Sequence, residues 1–182
     1  MKVCVDPGHG MSNKKVNVFD PGCTHTEDGV LFREADIVLK YGLSLKDVLR
    51  ARGIDVFMTR DDNTDQAPVG TRATNAKNAG CDRYVSIHVN DADSDEANGF
   101  EVLYGKPANE DLAQKMQTAL LKILKLKDRK IKLRTDLAVL KFNGPAVLIE
   151  LGFIAFDKDR DTMLNPQVRE SVCAAIADVL QA

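Results

Sequence analysis

Ala146-Val147-Leu148-Ile149-Glu150 runs through four apolar residues into a carboxylate, and Leu151-Gly152-Phe153 follows. A short apolar run of this kind reads as a strand buried on both faces, as in the parallel sheet of an α/β protein. A carboxylate at its end is costly unless it is paired or functional. Two other stretches have the same form. Val3-Cys4-Val5-Asp6-Pro7-Gly8-His9-Gly10 and Arg83-Tyr84-Val85-Ser86-Ile87-His88-Val89-Asn90 each carry an apolar run into a histidine, and the chain has three histidines in all. Open α/β sheets bind ligands beyond the carboxyl ends of their strands. His9, His88 and Glu150 are therefore expected at one edge of one sheet.

The segments between these strands supply helices. Glu34 begins a helical pattern (Ile37, Val38, Tyr41, Leu45, Val48, Leu49) that stops at Gly53. Ile54 to Met58 is a strand, Val69 to Ala79 a short helix, and Gly99 to Tyr104 another strand. Asn109 to Leu126 is amphipathic, with Leu112, Met116, Leu120 and Ile123 on its buried side. Ala138-Val139-Leu140 reads as a short strand, and Asn165-Pro166 caps and opens a final helix. After Asp6-Pro7-Gly8 closes the first strand, a long loop to about Gly29 exceeds a simple connection and reads as functional. Asp91 to Asn98 is an acidic loop carrying Asp91, Asp93, Asp95 and Glu96. Alternating strands and helices predict an α/β sandwich, with 1–182 as one domain and no second domain.

Composition narrows the function. The 182 residues are 44% hydrophobic and 29% charged, with net charge −2, so no electrostatic case exists for nucleic acid. No apolar run approaches the roughly 20 residues of a membrane span. The N-terminus meets Asp6-Pro7 before an h-region develops, so no signal peptide is expected and synthesis is placed in the cytoplasm. The cysteines at 4, 23, 81 and 173 form no Cys-x-x-Cys pair, which argues against a zinc knuckle or a disulfide framework.

Two imidazoles invite a metal. Glycines on either side of His9 let the backbone turn sharply. The third ligand is expected to be a carboxylate at a loop-to-helix junction, where Glu34 stands. Two histidines and one glutamate leave a fourth position open, as in catalytic zinc sites. Glu150 would then take a proton from a metal-activated water and pass it to a leaving amine. Each residue also has an ordinary reading: a satisfied strand-end histidine, a helix-dipole glutamate, a buried ion pair. Their joint placement favours chemistry. His25, in a polar loop, reads as solvated.

Together these residues resemble the zinc-dependent N-acetylmuramoyl-L-alanine amidases of the Amidase_3 type, over Val3 to about Leu180. The resemblance rests on Asp6 to Gly10, a glutamate opening the first long helix, Thr59-Arg60, Arg72 to Ala76, Ser86 to Asn90, and Pro145 to Phe153. By it, His9, Glu34 and His88 match the family's zinc ligands, one zinc per chain, and Glu150 its catalytic glutamate. The implied fold is a mixed, mostly parallel central sheet of about six strands flanked by helices on both faces. Two departures stand out. Arg33-Glu34-Ala35-Asp36 replaces the usual glutamate–lysine start, so Asp36 competes with Glu34, although the spacing favours Glu34. The family's histidine motif usually continues with Asn-Ala, whereas here Asn90 is followed by Asp91 and an acidic loop.

The resemblance also implies peptidoglycan as substrate and the lactyl–L-alanine amide as the bond cut. Lys122 to Arg134 holds seven cations against Asp128. Read plainly it is a solvated helix face and loop; read functionally, Arg129 or Arg134 pairs with a stem-peptide carboxylate. Asn90 is placed with them as a substrate contact. Without a signal peptide, the expected setting is a phage or prophage endolysin released to the wall by a pore-forming partner. The alternatives are a zinc carboxypeptidase or aminopeptidase, and a wall-binding module that has lost its chemistry.

Overall fold

The computed structural model describes residues 1–94 and 96–182, so Asp95 of the acidic loop lies outside the described residues. In chain order the elements begin with β1 (Lys2–Pro7), β2 (Gly10–Met11), β3 (Phe19–Asp20), β4 (Thr24–Glu27), β5 (Val30–Arg33), α1 (Glu34–Ala51) and β6 (Asp55–Met58). Next come α2 (Arg72–Asn78), β7 (Arg83–Asn90), β8 (Phe100–Tyr104), α3 (Glu110–Leu124) and β9 (Asp128–Leu133). The chain closes with β10 (Ala146–Phe153), α4 (Asp157–Leu164) and α5 (Pro166–Gln181).

Six strands form the central sheet in the order β6-β1-β7-β10-β8-β9. All neighbours are parallel except β10 and β8, which run antiparallel. This is the mixed, mostly parallel sheet expected. The three strands singled out by their apolar runs, β1, β7 and β10, lie side by side at its centre. Side chains alternate across them. Val3, Val5, Val85, Ile87, Val147 and Ile149 meet α1, α3 and α5 on one face. Cys4, Tyr84, Leu103 and Leu148 meet Ala76 of α2 and Val139, Leu140 and Phe142 on the other. No described helix is long and apolar enough to cross a membrane.

Local chemistry sets the helix ends. Asn165 Oδ1 accepts from the Gln167 and Val168 amides ahead of Pro166, as expected. Asp159 is buried and accepts from the amides of Gly99 and Phe153, tying α4 to the ends of β8 and β10. Arg160 beside it reaches Ile154 O and Glu27 and lies over Phe32, so it fastens the β4–β5 hairpin to the same corner.

Three expectations are corrected. Ala138–Lys141 is a 3-10 turn rather than a strand, and Phe142 after it packs 5.5 Å from Tyr84. Residues 128–133, read as a helix face and loop, form β9, the sixth strand. The long loop after Pro7 is not irregular throughout: it folds into the β2–β3 and β4–β5 hairpins.

Candidate metal centre

His9, Glu34 and His88 converge at the carboxyl edge of the sheet, their ligand atoms all within 4.8 Å of one another. His9 Nε2 lies 3.1 Å from Glu34 Oε2, and His88 Nδ1 lies 2.9 Å from Glu34 Oε1. A tetrahedral ion about 2.0–2.1 Å from nitrogen and oxygen donors separates those donors by roughly 3.3 Å. The three side chains fit such an ion. The two imidazoles stand edge to face with centroids 5.1 Å apart.

Each donor is placed by its backbone. His9 follows the Asp6-Pro7-Gly8 turn and has a left-handed φ of 60°, a strained conformation for a side-chain-bearing residue. Two buried arginines hold that turn. Arg60 donates to the carbonyls of Pro7, Gly8 and Ala35, and Arg72 to those of Pro7 and His9. Arg72 also pairs with buried Asp6 at 2.8 Å, and Asp6 accepts from Thr59 and Ser86 as well. Burial alone would raise the Asp6 pKa, but Arg72 and the two hydroxyls bring it down to about 2. The Thr59-Arg60, Arg72 and Ser86 motifs thus build the floor of the site.

Glu34 opens α1, is buried, and accepts from the amides of Cys23 and Val89. Burial works against its charge, but the imidazoles of His88 and His9 hold it well below the usual carboxylate range. His88 lies against Gly8, where a Cβ would come within 2.3 Å of the ring. Burial lowers the His88 pKa, yet Glu34 and Glu150 outweigh it and the net direction is up. Asp36, the competing carboxylate, turns instead to Asn63 and Arg33. His25 sits on β4 and lines a separate cleft with Glu27, Phe156 and Lys158.

Glu150 is in register with His88 across β7 and β10, where the pairing shifts just beyond it. Its Oε2 is buried with no hydrogen-bond partner among the described residues. Burial, with Glu34 and Glu101 nearby, pushes its pKa up to about 7 despite His88 and His9.

Two of the other candidates, Asn90 and Arg129, gather around Glu101, which faces Glu150 across β8 and β10. Glu101 accepts from Asn90 Nδ2 at 3.0 Å, from Arg129 Nε at 2.9 Å and from Lys132. Arg129 also lies 4.7 Å over the Phe153 ring. Arg134 is exposed and held by both oxygens of Asp136. A cleft of about 190 Å³ lined by His9, Lys14, Val69, Arg72, His88 and Val139 leads to the two imidazoles. Sequence reasoning missed Glu101 and Asp20, the latter 3.0 Å from His9 Nδ1. Asp20 opens a second Asp-Pro-Gly, identical to residues 6–8, which was the available signal.

Two imidazoles and a carboxylate that could hold a metal ion, with a further carboxylate without a partner among the described residues beside them, are groups of the kind a metal-dependent hydrolase uses. Residues 3–182 match the N-acetylmuramoyl-L-alanine amidase family Amidase_3. The chain is 32% identical over 180 residues to a "Probable cell wall amidase LytH" of Staphylococcus epidermidis, covering 98% of this chain and 57% of that relative. The chain thus spans little more than half the length of that relative. Among solved structures it resembles N-acetylmuramoyl-L-alanine amidase from Clostridium difficile 630 (TM-score 0.87, 28% identity, 99% of this chain and 94% of that one). It also resembles the catalytic domain of the amidase CwlV from Bacillus (Paenibacillus) polymyxa var. colistinus (0.86, 26%, 99% and 96%). The chain belongs to the N-acetylmuramoyl-L-alanine amidase family.

Proposed function

We propose that residues 1–182 act as a single catalytic domain that hydrolyses the amide between the lactyl group of N-acetylmuramic acid and L-alanine of the peptidoglycan stem. His9, Glu34 and His88 would hold one zinc ion. When bound, that ion supplies Lewis acidity towards the scissile carbonyl and towards water. The observation that carries the reading is Glu150: a buried carboxylate oxygen, without a partner among the described residues, in register with a candidate ligand.

Glu150 works in two directions. As a carboxylate it accepts a proton from the attacking water at Oε2, while the water oxygen bonds to the carbonyl carbon. As an acid it returns that proton to the leaving nitrogen as the C–N bond breaks. The products are a lactyl carboxylate and a free L-alanine amine. Arg129 and Asn90, gathered by Glu101, are proposed to line the substrate side. Arg134 would have to exchange Asp136 for a substrate carboxylate.

Mass analysis of cell-wall digests with and without a chelator tests the reading. It predicts stem peptides with free L-alanine amino termini and no new reducing sugars, lost on chelation and restored by zinc. Cleavage within the stem peptide would favour a carboxypeptidase or aminopeptidase instead.

A further inference from the structure

His9 is gripped at both ends of its imidazole. Nε2 faces Glu34, and Nδ1 lies 3.0 Å from Asp20 Oδ2. Asp20 is itself immobilised: Asn13 Nδ2 donates to Oδ2 at 2.7 Å and the Gly22 amide to Oδ1 at 3.1 Å. Asn13 Oδ1 in turn accepts from Arg72, which also holds the His9 carbonyl and Asp6. The two Asp-Pro-Gly turns therefore close on one histidine, Asp6 through Arg72 at its backbone and Asp20 directly at its ring. His88 has no such partner among the described residues. Its Nδ1 meets Glu34, and its other nitrogen packs over Gly8.

We propose that Asp20 is the positioning residue of the metal centre, holding His9 with its proton on Nδ1 so that the Nε2 lone pair points at the ion. A neutral imidazole has one donor and one acceptor nitrogen, and the partner of one fixes the role of the other. A carboxylate on the far nitrogen also makes the ligand more basic, and removing such a partner typically weakens metal binding 10–100-fold.

This inference rests on His9, Glu34 and His88 being the metal ligands, and the test separates the two. Zinc affinity is measured by chelator competition for wild type, Asp20→Ala, Asp20→Asn and His9→Ala, with folding followed by far-UV circular dichroism. We expect tight binding by wild type and near-complete loss in His9→Ala. Asp20→Ala should bind about 10–100-fold more weakly with an unchanged fold. Equal zinc affinity in wild type and His9→Ala would overturn the ligand assignment itself. Loss in His9→Ala with wild-type affinity in Asp20→Ala would overturn only the role of Asp20. Should Asp20→Ala fail to fold, Asp20→Asn carries the test in the same chelator competition: loss of the carboxylate charge behind His9 should weaken zinc binding, and wild-type affinity in a folded Asp20→Asn would refute the proposal.

Discussion

Glu150 and His88 stand in register on neighbouring parallel strands, and Glu150 keeps a buried oxygen with no partner among the described residues. This arrangement opposes stability, because a carboxylate is desolvated where nothing neutralises it.

The cost should be visible against pH. Glu150 titrates near 7 in the folded chain, above the ordinary 4.5, so folding favours its protonated form. Stability from this group is full below about pH 4.5 and falls as pH rises through about 7. Glu150→Gln removes that loss. At pH 8 the metal-free variant should exceed metal-free wild type by up to about 3 kcal/mol, with the gap closing below pH 5 or so. Urea unfolding in chelator at the two pH values checks it.

Asp6 behaves in the opposite sense. Its pKa is depressed from 3.8 to about 2, so its contribution is present above the higher value and lost as pH falls through the lower. Asp6→Asn leaves the Arg72 charge buried without its ion-pair partner and should cost about 3–5 kcal/mol at pH 7. Denaturation should show that deficit narrowing sharply by about pH 2.

Gly22 and Gly29 separate strain from site geometry. Their φ angles are +70° and +76°, but a Cβ at Gly22 meets Glu34 Oε2 at 2.5 Å whereas one at Gly29 meets nothing within 4 Å. Each alanine variant should lose about 1–2 kcal/mol from left-handed backbone strain. Only Gly22→Ala should also weaken zinc binding, which a chelator titration of both variants would reveal.

Arg129 and Arg134 differ in what already holds them. Arg129→Ala removes a guanidinium gathered with Asn90 and Lys132 around Glu101, and should raise KM by about tenfold with kcat little changed. Arg134 is exposed and engaged by Asp136, so Arg134→Ala should change KM by less than about threefold. Steady-state kinetics on soluble wall fragments compares the two.

The central strands and α1 were legible because burial on both sheet faces forces uninterrupted apolar runs, and a helix face forces a 3.6-residue period. β9 was not, since an edge strand can expose Lys130 and Leu133 and still pair with β8. α4 was hidden for a related reason. It is short, and its buried residues include Asp159 and Arg160, whose value lies in hydrogen bonds rather than periodicity. In the site, His9, His88 and Glu150 could be read because apolar runs deliver them. Glu101 acts through partners distant in sequence, which no local pattern announces, and for Asp20 the repeated Asp-Pro-Gly marks a turn without saying that it closes on His9.

Zinc content and turnover measured on the same preparations of Glu150→Gln and His88→Ala test the division of roles most directly. Glu150→Gln should retain about one zinc per chain and lose turnover by about 10²–10⁴-fold, whereas His88→Ala should lose both. Undiminished turnover in Glu150→Gln, or full zinc content in His88→Ala, would contradict it.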